Sequence, residues 1–531
     1  GAIQSFEVRN TLSEEFFGFV DGSYTGSAPD LDVLFFIVKD MPISEGTAGG
    51  LTNWTTSATQ VAIGANLAGT DSTWTDSLGN LLSMPIHYAS MYASYRSLIT
   101  THTDGVYDID AIDDVVTTLG PSVSENPLSL GVYKALQNSN GITVKYMATN
   151  GTTLTAYSAV LNAIYDREDV YGLVPLTHTK EIQDLVVAHC VEASSSDRNR
   201  WRICWLGTQV SETTVVLTED SSGDPVMATI ADDPDTVGTQ YTYLASDGAD
   251  FITAAVQALD KLRINYDIDS VTGETTYDEY VVDAVLTEEN LRLVTGPTAA
   301  VAIDSKFEIW RDNSKNEMAT AIATFAGSFF NRRVRVVFPD TINNGGTTYD
   351  SVYLCAALAG LRSGVAPHQG LTNVEIAGFD SVPRSIQFFG GRQLDIMAAS
   401  GVWVVTQDNT GMVYTRHQLT TDTTDVNRKE DSAVSNFDNI SYYMLRFFRD
   451  NRYIGRRNIN EGLLVQLTAD FRGAIQELRD GTATPTLGAQ LNGAEIVSIE
   501  QNETATDTID ANIDVVLPPP FNNLNIRMRA I

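Results

Sequence analysis

The side chains able to do chemistry are six histidines, three cysteines and a run of arginines late in the 531-residue chain. His87, His102, His178, His189, His368 and His417 include no HExxH or H-x-H pair, so no helix face offers two imidazoles to one metal. His189 stands beside Cys190, but adjacent helical residues point in different directions and cannot share a ligand face. Cys190, Cys204 and Cys355 sit in apolar runs such as WRICW and YLCAAL without CxxC spacing, which predicts buried, reduced thiols. Phosphate binding would need GxxxxGK(S/T), or GxGxxG after a strand, and the chain has neither. GLRSG at Gly360 to Gly364 lacks the GxSxG spacing of a nucleophile elbow, and Gly364 reads as a helix cap. In the acidic stretch from Asp267, Val271, Thr272 and Asp278 stand where a calcium loop needs an oxygen ligand, a glycine and a glutamate. A β-hairpin turning at Gly273 is expected instead. No catalytic residue, metal ligand or cofactor is expected.

What remains is charge. Between Ser441 and Asn460 the chain carries Arg446, Arg449, Arg452, Arg456 and Arg457 against the single acid Asp450, in a protein of net charge -33. Their spacing predicts a basic helix face opposite an apolar stripe of Ile440, Tyr443, Met444, Phe447 and Phe448. A solvated face is the plain reading, and an acidic protein partner the sharper one. With 67 acids against 34 bases, a general grip on nucleic acid is not expected. No apolar run reaches the 18 or more residues of a membrane span, and Gly1 to Arg9 lacks the regions of a signal peptide. Folding in a cytoplasm without membrane insertion is therefore expected.

The elements that would position these residues follow from periodicity. From Asn126 onward short Val/Leu/Ile runs alternate with helices: helix Leu130 to Gln137, strand Thr143 to Ala148, helix Thr155 to Tyr165, strand Val170 to Leu176, helix Glu181 to Ala193 and strand Trp201 to Leu206. This predicts an α/β core with a mostly parallel, doubly wound sheet. The alternation stops near Gly207 and resumes at Asp312, with helix Met318 to Phe330, strand Val334 to Phe338 and helix Val352 to Leu361. Between Ser211 and Ala300, eighteen acids face three bases among many Thr and Val, which predicts an acidic, β-rich inserted domain. An α+β region follows Gly378, with long helices over Asp431 to Ile454 and Asn460 to Leu478. Pro518, Pro519 and Pro520 then form a rigid spacer before an isolated strand pattern in which Phe521, Leu524, Ile526 and Met528 are the apolar positions.

Several of these segments resemble phage tail sheath proteins in content and order: YLCAALAGLRSGVAPHQGLTNVEIAGFD (Tyr353 to Asp380), LDIMAASGVWVVTQDNTGMVYTRHQLTTD (Leu394 to Asp422) and FDNISYYMLRFFRDNRYIGRRNI (Phe437 to Ile459). NPLSLGVYKALQNSNG and REDVYGLVPLTHTKEIQDLVVAHC are similar to the same family, so the likeness spans most of Asn126 to Gly207 and Asp312 to Ile531. The resemblance implies a non-enzymatic virion subunit that stacks in hexameric rings around a tail tube, meets baseplate and tail terminator proteins, and contracts to drive the tube through a host envelope. It implies terminal arms that add strands to neighbouring subunits: Ile3, Phe6 and Val8 at the N-terminus, and Phe521, Leu524, Ile526 and Met528 at the C-terminus. The five arginines become candidates for the tube contact. The expected division is an N-terminal arm (1–20), an outer or sheet-edge domain of mixed β character (21–125), two parts of the α/β core (126–210 and 306–377) flanking the insertion (211–305), an inner α+β domain (378–517) and a C-terminal arm (518–531). The sheath of a phage-tail-like bacteriocin fits the same features. An α/β enzyme with a fused β domain is the remote alternative.

Overall fold

The computed structural model describes residues 105–522 apart from 125, 150, 196–197, 220–223, 235–240, 247, 269–274, 299–300, 452, 454 and 521. A ribbon of β1 (Tyr107–Ile109) and β2 (Val144–Tyr146) packs on α1 (Asp113–Leu119) and α2 (Pro127–Asn138) through Ile109, Val115, Leu119, Val132 and Tyr146. The segment expected to join the central sheet at Thr143 to Ala148 is therefore β2 of this ribbon. The sheet strands Ile203–Gly207 and Val334–Phe338 are buried at every position, whereas Val144 and Tyr146 alternate with Lys145 and have one apolar face to cover.

Helix α3 (Leu154–Ile164) leads into the central sheet, formed by β3 (Gly172–Leu173), β4 (Ile203–Gly207), β12 (Val334–Phe338), β15 (Val402–Gln407) and the antiparallel edge strand β16 (Val413–Thr415). Every residue of β4 and β12 is buried. The strand period of two sends Cys204, Leu206, Val334, Val336, Val402 and Val404 to one face, against α3, α4 (Lys180–Ala193), α5 (Lys315–Phe329) and α7 (Gly391–Ala399). Ile203, Trp205, Val337, Trp403 and Val405 go to the other, against α6 (Ser351–Ser363). The parallel strands lie side by side in chain order, β3, β4, β12, β15. Helices α4, α5 and α7 of the successive crossovers lie on one face and α6 on the other, so the sheet is covered on both faces. Among the described residues strand order does not reverse along the parallel strands, and a reversal is the arrangement that would open a crevice for nucleotides.

Between β4 and α5 the chain builds a closed antiparallel barrel. Strands β5 (Thr213–Leu217), β6 (Met227–Ala231), β7 (Tyr243–Ala245), β8 (Lys261–Ile268), β9 (Thr275–Val285), β10 (Asn290–Leu293) and β11 (Val301–Asp312) run in the order β5-β11-β6-β7-β10-β9-β8, and β8 pairs back onto β11. Ile230, Leu244, Phe251, Leu262, Val282, Leu291 and Phe307 fill it. The hairpin expected around Gly273 is β8–β9, paired from Lys261 with Val281 to Ile268 with Thr275; Gly273 lies outside the described residues. A short hairpin, β13 (Thr341–Asn344) and β14 (Thr347–Asp350), links β12 to α6.

Past the sheet, α8 (Asp431–Asp450) and α9 (Glu461–Asp480) precede a second hairpin, β17 (Gly493–Gln501) with β18 (Ile509–Val516). Ile440, Tyr443 and Met444 of α8, Ile475 and Leu478 of α9, and Ile496, Ile513 and Val515 of the hairpin share one core. The three cysteines are buried and unpaired by disulfides, as their apolar surroundings predict.

Candidate assembly surface

The amino end of α8 is held on the central sheet by charge. Asp431 is fully buried and accepts from Arg335 Nε of β12 at 2.7 Å, while its other oxygen lies 3.3 Å from Arg362 Nη1 of α6. Two turns on, Asp438 meets the Arg333 guanidinium and accepts from Tyr171 Oη at 2.9 Å. Burial works against the Arg333 charge, but Asp438 outweighs it and holds the guanidinium above its ordinary range. Arg333 and Arg335 alternate on one side of the strand, and Asp431 and Asp438 lie seven apart on one side of the helix, so the pairs fix both rotation and register of α8. Removing one partner of such a buried pair costs about 3–5 kcal/mol, because the other charge stays behind without compensation.

Farther along α8 the arginines emerge. Arg446 and Arg449 are exposed on the helix, and Arg449 Nη1 lies 3.2 Å from Glu168 Oε1, which Arg200 approaches at 3.3 Å. The helix stops at Asp450, four residues short of the expected Ile454. Arg456 and Arg457 therefore belong to the α8–α9 connection, and Arg452 lies outside the described residues. Arg457 stacks over the Tyr453 ring at 4.5 Å and donates to Gln466. The physical reason is packing: Phe448 meets Tyr453 edge to face and Phe471 at a tilt, which folds the chain back onto α9, and Gly455 at φ 78° completes the turn. The basic group is thus split between a helix end and a loop.

Residues 496–500 and 513–517 read as strands from their alternation, but their pairing into the lone β17–β18 hairpin does not follow from sequence. The hairpin pairs residues Gly493 to Gln501 with Val516 to Ile509, and a bulge at Val497 resets the alternation so that Ile496 and Ile499 both face the helices. Among the described residues, each strand pairs only with the other, leaving two long outer edges. Val497 and Val516 are each 59% exposed. A two-stranded sheet is marginal alone, and its unpaired N–H and C=O groups form a template for further strands. Both runs, AEIVSIEQ and IDANIDVV, alternate in sequence, and the next strand pattern, Phe521 to Met528, is set apart from them by Pro518 to Pro520. The arm residues Ile3, Phe6, Val8, Phe521, Leu524, Ile526 and Met528 lie outside the described residues.

Among the described residues no group of His, Cys, Asp and Glu side chains could hold a metal ion, and no helix is long and apolar enough to cross a membrane. No family model and no curated protein matches the chain. The chain is similar in structure to the anti-feeding prophage helical sheath in its contracted state, at 10% identity and a TM-score of 0.46, covering 81% of this chain and 89% of that one. It is also similar to the contracted sheath complex of an extracellular contractile injection system, PVC, at 10% identity and a TM-score of 0.46, covering 80% and 87%. A third likeness is to a sheath tail protein from Desulfitobacterium hafniense, at 12% identity and a TM-score of 0.34, covering 78% and 93%. These solved neighbours are sheath proteins of contractile injection systems and tails.

Proposed function

We propose that the chain is the structural subunit of a contractile sheath. The observation that carries this reading is the ordered run of sheath-like segments at Tyr353 to Asp380, Leu394 to Asp422 and Phe437 to Ile459. In the fold these three supply α6, the β15–β16 sheet edge and α8. The subunits form hexameric rings stacked helically around a tail tube, link to one another by strand exchange, and contract to drive the tube through an envelope. The open edges of β17 and β18 support strand addition, with the arms Ile3 to Arg9 and Phe521 to Ile531 of neighbouring copies as the added strands. Such links satisfy backbone groups between chains while the bodies rotate, which a contracting lattice requires. The tail tube is the partner proposed for the arginines, and baseplate and tail terminator proteins are the partners at the two ends. The particle is a virion tail assembled in a host cytoplasm, or the sheath of a phage-tail-like bacteriocin. The role is non-enzymatic and needs no cofactor.

Electron microscopy of the purified chain tests this, with helical tubes as the expected result. Deleting Phe521 to Ile531 should leave a soluble, folded protein that forms no tubes, because within its own subunit the segment forfeits only the side-chain contacts of Asn522 to Thr372 and His417. Long regular tubes from the truncated chain would sink the arm assignment.

A further inference from the structure

Beyond β18 the chain passes through Pro518 to Pro520 and returns to the central sheet. It comes close at Gly370, where a Cβ would lie 3.3 Å from Pro520 Cβ. Asn522 then enters a polar cavity of about 300 Å³ at the β16 edge, lined in part by Asp395 and Arg416. Thr372 Oγ1 donates to Asn522 Oδ1 at 2.8 Å, and Asn522 Nδ2 lies 3.1 Å from His417 Nε2. The same His417 nitrogen is 2.8 Å from Glu430 Oε1, whose side chain is 6% exposed. One nitrogen cannot both accept from Asn522 and donate to Glu430. When Nε2 carries the proton towards Glu430 it has no lone pair for Asn522, and the bond from Thr372 Oγ1 is the one that persists in both tautomers.

Resting on the sheath reading, we propose that Asn522 is a positioning residue that clamps the root of the C-terminal arm to its own subunit, so that the arm departs from the β16 edge and not from the end of β18. The clamp removes residues 517–522 from the free tether that would otherwise begin at the end of β18. Fully extended, that stretch reaches about 20 Å. The shorter tether concentrates the arm near one neighbouring acceptor and fixes its direction. From the dependence of effective concentration on linker length, together with lost orientation, releasing the clamp should raise the critical concentration for assembly about two- to fivefold.

The test compares the full-length chain with Asn522→Ala and Thr372→Val. Hydrogen exchange is followed over Gly370 to Asn373 and Phe521 to Leu524 below the assembly concentration, and light scattering measures tube formation above it. The expected result is faster exchange at both segments, a melting temperature within about 2 °C of wild type, and the raised critical concentration. Unchanged exchange in both variants would overturn the clamp. Accelerated exchange with an unchanged critical concentration would overturn its role in assembly. A wild-type chain that never forms tubes would overturn the sheath reading and this role together, an outcome distinct from tubes that ignore the substitutions.

Discussion

His189 shows how a residue dismissed as a ligand still has a job. Its imidazole meets the guanidinium of Arg202, which is itself buried and donates to the carbonyls at the end of α3, with Tyr165 O at 3.2 Å and Arg167 O at 3.0 Å. Arg202 thus satisfies the open end of that helix, and His189 supports the arginine. Burial first, and the Arg202 charge second, push the His189 pKa down to about 4. The unfolded chain takes up this proton near 6.5 and the folded chain only near 4. Between those values the unfolded state binds more protons, so stability falls as the pH is lowered from about 6.5 to about 4, by roughly 1–3 kcal/mol in total. Thermal melts should therefore show a smaller loss over this window for His189→Gln than for wild type, and an equal loss would assign the effect to other groups. The sequence could say that His189 and Cys190 do not share a metal. It could not say that His189 faces Arg202, because that contact depends on how α4 lies on β4. The buried pairs of Arg333, Arg335, Asp431 and Asp438 were hidden for the same reason: each looks like a surface charge until α8 is laid across the sheet.

At the scale of elements, segments with a clear apolar period or a glycine cap were legible, and ends set by tertiary packing were not. Strand Val334–Phe338 falls where its apolar run predicts, and α6, reading Ser351–Ser363, ends at the predicted cap Gly364. The end of α8 was misread, since the arginine spacing continues past Asp450 although the helix does not; the edge-to-face contact of Phe448 with Tyr453 decides the matter. The α2–α6 contact was also beyond sequence reading. Here Gly360 lets the helices touch, for a Cβ at that position would lie 2.1 Å from Ala135 O. Gly360→Val should force the helices apart and cost about 2–4 kcal/mol by overpacking. A fall in the denaturation midpoint measured by circular dichroism would register it, and an unchanged midpoint would contradict the close approach.

For the whole molecule, the proposed division of labour puts neighbour contacts on the hairpin and arms and tube contacts on the arginines. Arg449 already shares Glu168 with Arg200, so part of its charge is spent within the subunit, while Arg446 is exposed on the same helix end. Reversing both in Arg446→Glu with Arg449→Glu should therefore weaken co-assembly on tube more than tenfold, with sheath-only assembly changed less than threefold. These ratios follow from losing about 1 kcal/mol or more per contact when attraction becomes repulsion. Equal losses in sedimentation assays of the two assemblies would reassign these arginines to lateral or folding contacts.

The barrel carries one more consequence. Its first strand and its last are hydrogen-bonded to each other, with Thr213 opposite Asp312, Asn313 N donating to Glu212 O at 2.8 Å and Asn313 Nδ2 to Ser211 O at 2.9 Å. Immediately afterwards Ser314 starts α5 with a reciprocal capping box to Glu317. Among the described residues the two ends of the insertion therefore form a narrow two-stranded stem whose feet stand one strand spacing apart, a gap that a tight turn would bridge equally well. Whatever is mounted on that stem can be enlarged, trimmed or exchanged while β4 and β12 keep their places. The chain behaves here as a socket, and its acidic barrel as the fitting that occupies it.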